Sequence, residues 1–203
     1  MSAFTSETPA PDSCIRLLSA LHAYAMPRVI DSSKVSFQRS FKTCGSHSKT
    51  AALLRKTDER RVDMCCSLTG AKGKMNGGET VRAVEAYLPL IRSILLSCEV
   101  QPDDALLDEK LNFNWQSSME KSKARSSEAL MYEVSMALAS KAFGHVTTGC
   151  DSSVDGNFDG AAKEFKDAAG VFDYLATKHL SQWVSLGSSV QTIDLPCEVG
   201  TER

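Results

Sequence analysis

FDGAAKEFKDAAGVFDYLATKHLSQWV, residues 158–184, decides the fold class. Side chains at Phe158, Ala162, Phe165, Ala169, Phe172, Ala176, His179 and Trp183 recur in steps of four and three, which draws one stripe down a helix. Bulky and small residues alternate along that stripe. A neighbouring helix can approach at the alanine levels and lock between the rings. Each ring so buried contributes roughly 2–3 kcal/mol of transfer free energy. The stripe holds no reactive group, so it reads as a packing surface.

Working outward, residues 126–146 (SSEALMYEVSMALASKAFGHV) form the preceding helix, and TTGCDSSVDGN is expected to separate the two. Upstream, LNFNW alternates Phe113 and Trp115 with asparagines and reads as a short strand. KVSFQRSF, residues 34–41, is a second strand candidate that could pair with it. Residues 79–99 carry Val81, Val84, Leu88, Ile91 and Leu95 on one helical face, with Pro89 inside and expected to kink the helix. Residues 46–68 form a further helix whose charged middle, LRKTDERR, reads as a solvated face. A short helix is expected over 13–25, capped by Asp12 or Ser13 and ended by Pro27. The expected organisation is a disordered leader over 1–12, one helical domain over 13–184 and an irregular tail over 185–203. The fold class is mainly α, with long antiparallel helices and a small N-terminal β-hairpin-like sheet.

Composition narrows the function classes. The 203 residues are 42% hydrophobic with a formal net charge of −2, enough for one domain with a sizeable core. A near-neutral balance leaves no electrostatic footprint for nucleic acid or an anionic membrane. No secretory signal or bilayer-length apolar run is visible, so a cytoplasmic location is expected. The seven cysteines make no C-x-x-C pair, and Cys65 and Cys66 are adjacent. They read as reduced thiols, several of them small core residues. Nothing ties His22, His47, His145 or His179 to a nucleophile.

Two pieces imitate known chemistry. Asp155-Gly156-Asn157-Phe158-Asp159-Gly160 matches the first half of an EF-hand loop, but Lys166 stands where the bidentate glutamate belongs. A capped helix start explains the same letters. Gly70-Ala71-Lys72-Gly73-Lys74 resembles a phosphate loop with its first glycine too close and Met75 in place of Ser/Thr, and reads as a flexible connection. The carboxylates Glu128/Glu133 and Asp103/Asp104 single out no acid–base pair and read as capping and solvated groups. No catalytic, metal or cofactor site is expected.

Phe113, Trp115 and Met119, then E-x-x-M-A-L from Glu133 to Leu138, then A-A-K-x-F-x-x-A-A-G-V-F-x-Y-L from Ala161 to Leu175, together resemble the Bro-one domain. Among such domains the chain is most similar to the small Brox-like members and their plant and algal relatives. The resemblance spans about residues 34–184 and is strongest from Phe113 onward. It implies a mostly helical domain with a small antiparallel sheet near one end, acting as a non-enzymatic adaptor in endosomal sorting and the multivesicular-body pathway. The implied partner is the C-terminal helix of an ESCRT-III subunit of the charged-multivesicular-body class, lying in an apolar groove. The implied location is cytoplasmic and peripherally endosomal, with membranes reached only through partners and no nucleic acid bound.

The chain matches only the N-terminal half of such a domain, and the groove is expected mostly in the other half. No partner-binding residue is therefore assigned. Faces of the last two helices are expected to stand uncovered, which permits self-association. The alternatives are a helical interaction fragment without ESCRT-III binding, and a calcium-binding protein using residues 155–160.

Overall fold

The computed structural model describes residues 26–31, 34–42, 44–69, 76–100, 107–116 and 123–181. The expected leader, the helix over 13–25, the loop over 70–75 and the tail over 185–203 lie outside the described residues. The architecture is mainly α with a small antiparallel sheet. In chain order it comprises β1 (Arg28–Val29), α1 (Phe37–Ser40), α2 (Ser48–Thr69), α3 (Gly77–Val100), β2 (Phe113–Gln116), β3 (Ala124–Ser127), α4 (Leu130–Val154) and α5 (Phe158–Tyr174). A one-turn π-helix, Leu175–His179, continues α5. None of the described helices is long and apolar enough to cross a membrane.

Strand β2 lies at the centre of the sheet, as the alternation of LNFNW predicts, but its partners differ from the expected one. It pairs antiparallel with β1 (Val29 opposite Trp115) and with β3 (Phe113 opposite Ser127). KVSFQRSF is not a strand. Phe37 and Phe41 lie four apart, and a helical turn buries both rings where a strand would have to stretch between them. Asp58 on α2 fixes that choice. Its carboxylate accepts from the Phe37 amide at 2.7 Å, the Gln38 amide at 3.2 Å and the Ser36 hydroxyl at 3.0 Å. The open amides at the start of α1 are thus satisfied from a neighbouring helix.

Helices α2 and α3 fall close to their expected limits. Thr80, Val84, Tyr87, Leu88, Ile91 and Ile94 form the buried face of α3, with Val81 and Leu95 at its edge. The helix continues unbroken through Pro89, whose ring lies on the exposed side. At its N-terminus α3 meets α4 backbone to backbone. A Cβ on Gly77 would lie 2.3 Å from the Gly144 carbonyl oxygen, so only glycine permits this crossing. Farther along, Lys141 of α4 pairs with Glu85 of α3 at 2.7 Å.

Helix α4 departs from expectation at both ends. It begins at Leu130 because Ala124–Ser127 is taken into the sheet. It then runs on to Val154, through most of the stretch expected to be a loop. Thr147, Thr148 and Ser153 donate their hydroxyls to carbonyls four residues back, at 2.9–3.0 Å, so these residues stay helical without stranding a polar group. Packing explains the extension. The ring of Phe165 on α5 occupies the space a Cβ on Gly149 would take, within 2.8 Å. Gly156, at φ +77°, turns the chain, and Asn157 begins α5 by accepting from the Gly160 amide at 3.0 Å. Helix α4 therefore lies between α3 and α5.

Candidate functional site: the buried charge cluster and the outer flank of helix α5

Two places concentrate side chains with chemistry. The first is inside the protein, where α2, α3, α4 and β2 meet. Glu133 is 0% exposed and its carboxylate receives three donors. Arg61 Nε donates to Oε1 at 2.8 Å, Tyr87 Oη to Oε1 at 3.3 Å, and Trp115 Nε1 to Oε2 at 2.6 Å. Arg61, 2% exposed, lies over the Phe113 ring at 5.7 Å, and Phe113 packs against Phe37 of α1 at 6.2 Å. One connected set of groups thus ties together five elements.

Sequence reading placed Arg61 on a solvated face and took Glu133 as a capping or solvated carboxylate. Both readings are overturned. Arg61 follows Leu54 and Thr57 and precedes Met64, Cys65 and Leu68 on the buried side of α2. Glu133 shares the inner side of α4 with Val134 and Ala137. A charge on an apolar stripe signals a partner across the core, and that signal was present in each helix separately. Only the fold shows that the two charges face each other.

The electrostatics follow from burial and from that pair. Desolvation, the largest single influence, works to lower the Arg61 value, but Glu133, Tyr87 and Cys65 together outweigh it and hold the guanidinium charged. Burial first, and the Glu133 charge second, push the Tyr87 hydroxyl well above its ordinary value. Burial raises the Cys65 thiol to about 11, against the pull of Arg61, and raises Cys98 to about 11 as well. These thiols stay protonated near neutral pH, the state of inert core cysteines. The cluster closes on itself inside the core, with every acceptor of Glu133 turned toward a protein donor. Its chemistry is that of a structural clamp.

The second place is the surface of α5. The expected stripe is displaced by about one position. Ala161 and Ala168 lie buried against α4, and Leu175 and His179 continue that line through the π-turn. The reason is close approach: paired alanines, Ala161–Ala162 and Ala168–Ala169, offer two small-residue faces, and α4 takes the one that sets Phe165 over Gly149. Phe172 packs edge-on against Phe143 at 5.4 Å. His145 of α4 and Glu164 of α5 join at 2.7 Å between Nδ1 and Oε2.

That choice leaves the other alanine face open. Phe158 is 72% exposed, Phe172 is 37% exposed, and Ala162, Ala169 and Ala176 are exposed too. Helical geometry sets these five on one flank beside the buried line. Val154 at the end of α4 and Leu180 beyond the π-turn add two more exposed apolar side chains.

The remaining singled-out residues have plain roles. Glu128 pairs with Lys110 at 3.2 Å on the surface. Asp155 ends α4 and Asn157 caps α5, so the DGNFDG letters serve as a helix junction. Among the described residues no group of three or more His, Cys, Asp and Glu side chains gathers as a metal site. Cys44, Cys65, Cys66, Cys98 and Cys150 are free thiols. Gly70–Lys74, Asp103, Asp104, Met119, Trp183, His22, Cys14 and Cys197 lie outside the described residues.

No protein-family model, curated protein or solved structure matches the chain.

Proposed function

We propose that this chain is a non-enzymatic protein-interaction adaptor of the Bro-one type, which binds an ESCRT-III subunit of the charged-multivesicular-body class in endosomal sorting. The observation that carries the reading is the open flank of α5. Phe158, Ala162, Ala169, Phe172 and Ala176 form an apolar strip with exposed side chains, on a helix whose neighbouring line is already buried against α4. A helix with more apolar surface than its own fold covers is suited to take another helix alongside it. The resemblance of the same segment to the Bro-one domain names the class of helix.

The test is a titration of the whole purified chain with a fluorescent C-terminal helix peptide of a charged-multivesicular-body protein. Saturable binding in the micromolar range, weakened at least tenfold (about 1.4 kcal/mol) by Phe158→Ser with Ala169→Asp, is the expected result. No binding by a soluble, monodisperse chain overturns the ESCRT-III assignment. Self-association abolished by the same two substitutions instead favours the second reading, an interaction fragment whose flank meets another copy.

A further inference from the structure

The π-turn that follows α5 holds a buried histidine without a full set of partners. Leu180 N–H closes the turn on the Leu175 carbonyl, five residues back, which inserts one extra residue relative to an α-helix. Leu175 and His179, four residues apart, both lie on the buried side. His179 is 3% exposed, and its Nε2 is buried with no hydrogen-bond partner among the described residues. Three elements face the ring. On its own helix Tyr174 stacks on it at 6.3 Å with 28° between planes. From α3, Arg92 lies over the Tyr174 ring at 5.7 Å, donates to its hydroxyl at 3.5 Å and is the charged side chain that bears on the imidazole. From α4, the backbone of Met131 favours the charged form of the ring.

We propose that Leu175–His179 is an acid-sensitive latch, in which a proton on His179 releases the end of α5 from α3 and α4. The neutral ring fits this pocket with its Nε2 bare. The imidazolium carries a second N–H that finds no acceptor there and places a positive charge beside Arg92. Burial first, and Arg92 as a further cause, hold the His179 value below the ordinary 6.5, while the Met131 backbone works the other way. The sign follows directly. A folded value below the unfolded one means that the unfolded turn binds the proton more readily. The contribution of the latch is fully present above pH 6.5 and is lost as pH falls through the lowered folded value. Opening of the turn frees Tyr174 and Leu175 and lengthens the apolar flank of α5 at its C-terminal end.

Amide hydrogen exchange of the full chain, corrected for intrinsic rates, tests the latch at about pH 7.5 and about pH 5. Amides of residues 175–180 are expected to lose protection roughly tenfold for each unit by which the histidine value is lowered. His179→Phe keeps their protection equal at both pH values, and His145→Gln keeps the wild-type response. Unchanged wild-type protection on acidification, or the same loss in a folded His179→Phe, overturns the proposal. Should that variant fail to fold, the wild-type ring is titrated by NMR. Movement of the 175–180 amides in step with the ring supports the latch, and a ring titration that leaves them still refutes it.

Discussion

Glu133→Gln is the most informative single change in this molecule, because it preserves volume and removes only charge and one acceptor. The carboxylate accepts from Arg61 and Tyr87 at Oε1 and from Trp115 at Oε2. Glutamine offers one acceptor oxygen and one NH2 group. With its oxygen toward Arg61, the NH2 group meets the Trp115 N–H, two donors at a 2.6 Å separation. Turned over, it meets Arg61 Nε across 2.8 Å. Either way a donor is stranded, and the carboxylate that neutralises a guanidinium only 2% exposed is gone. Removing one member of such a pair costs about 3–5 kcal/mol, a large part of the roughly 5–15 kcal/mol that keeps a domain folded. At about 2–4 °C per kcal/mol for a chain of this size, the melting temperature is expected to fall by about 6–20 °C.

Urea denaturation followed by circular dichroism, with calorimetry for the melting temperature, measures the effect. Arg61→Met, Glu133→Met and their combination make a thermodynamic cycle. The double variant no longer buries a lone charge, but it leaves the Tyr87 and Trp115 donors without their acceptor, at about 1–3 kcal/mol each. Its loss is therefore expected to be smaller than the sum of the single losses. A Glu133→Gln protein that melts within about 2 °C of wild type, or single losses that simply add, would refute the assignment of the cluster as a coupled clamp.

Two further contrasts probe the packing. Gly144→Ala places a Cβ at 2.9 Å from Val81 Cγ2 and 3.0 Å from the Gly77 carbonyl oxygen, and is expected to destabilise by about 1–3 kcal/mol in urea titrations. Gly170→Ala, with nothing within 4 Å and a helical backbone, is expected to stabilise by about 0.4–1 kcal/mol in the same assay. Asp58→Ala removes the acceptor for Phe37, Gln38 and Ser36, with an expected loss of about 1–2 kcal/mol. Asp58→Asn, which keeps one oxygen, is expected to lose less.

What could be read from the sequence and what could not divide along a physical line. The long helices were legible because their apolar residues repeat at helical spacing, and β2 was legible because Phe113 and Trp115 alternate with polar residues. The fate of KVSFQRSF depended on Asp58, which lies 21 residues from Phe37 in the chain and reaches α1 only once α2 is in place. The true end of α4 depended on Gly149 receiving the ring of Phe165, and local propensity alone reads TTGCDSS as a break. Arg61 and Glu133 were misread for a related reason. Each sits on a stripe that identifies it as buried, yet charge composition spoke louder than position. For α5, period and residue types gave the helix but not its rotation, since adjacent alanines make two faces equally able to meet a neighbour.

The buried charge cluster and helix α5 are held by different sets of contacts. The Glu133 clamp reaches α2, α3, α4 and β2, and through Phe113 it reaches α1, so these elements share one set of constraints. Helix α5 lies outside that set. It is held by alanine packing and Phe165 on α4, by the His145–Glu164 pair, and near its end by Arg92 against Tyr174. These anchors, with Phe172 against Phe143, run to α4 and α3 and are separate from the buried charges of the clamp. A helix that carries an open apolar flank and is secured mainly along one side can shift to accommodate a second helix while the framework keeps its register. The buried charges fix the framework beneath α5, and the paired alanines leave one of its two small-residue faces open.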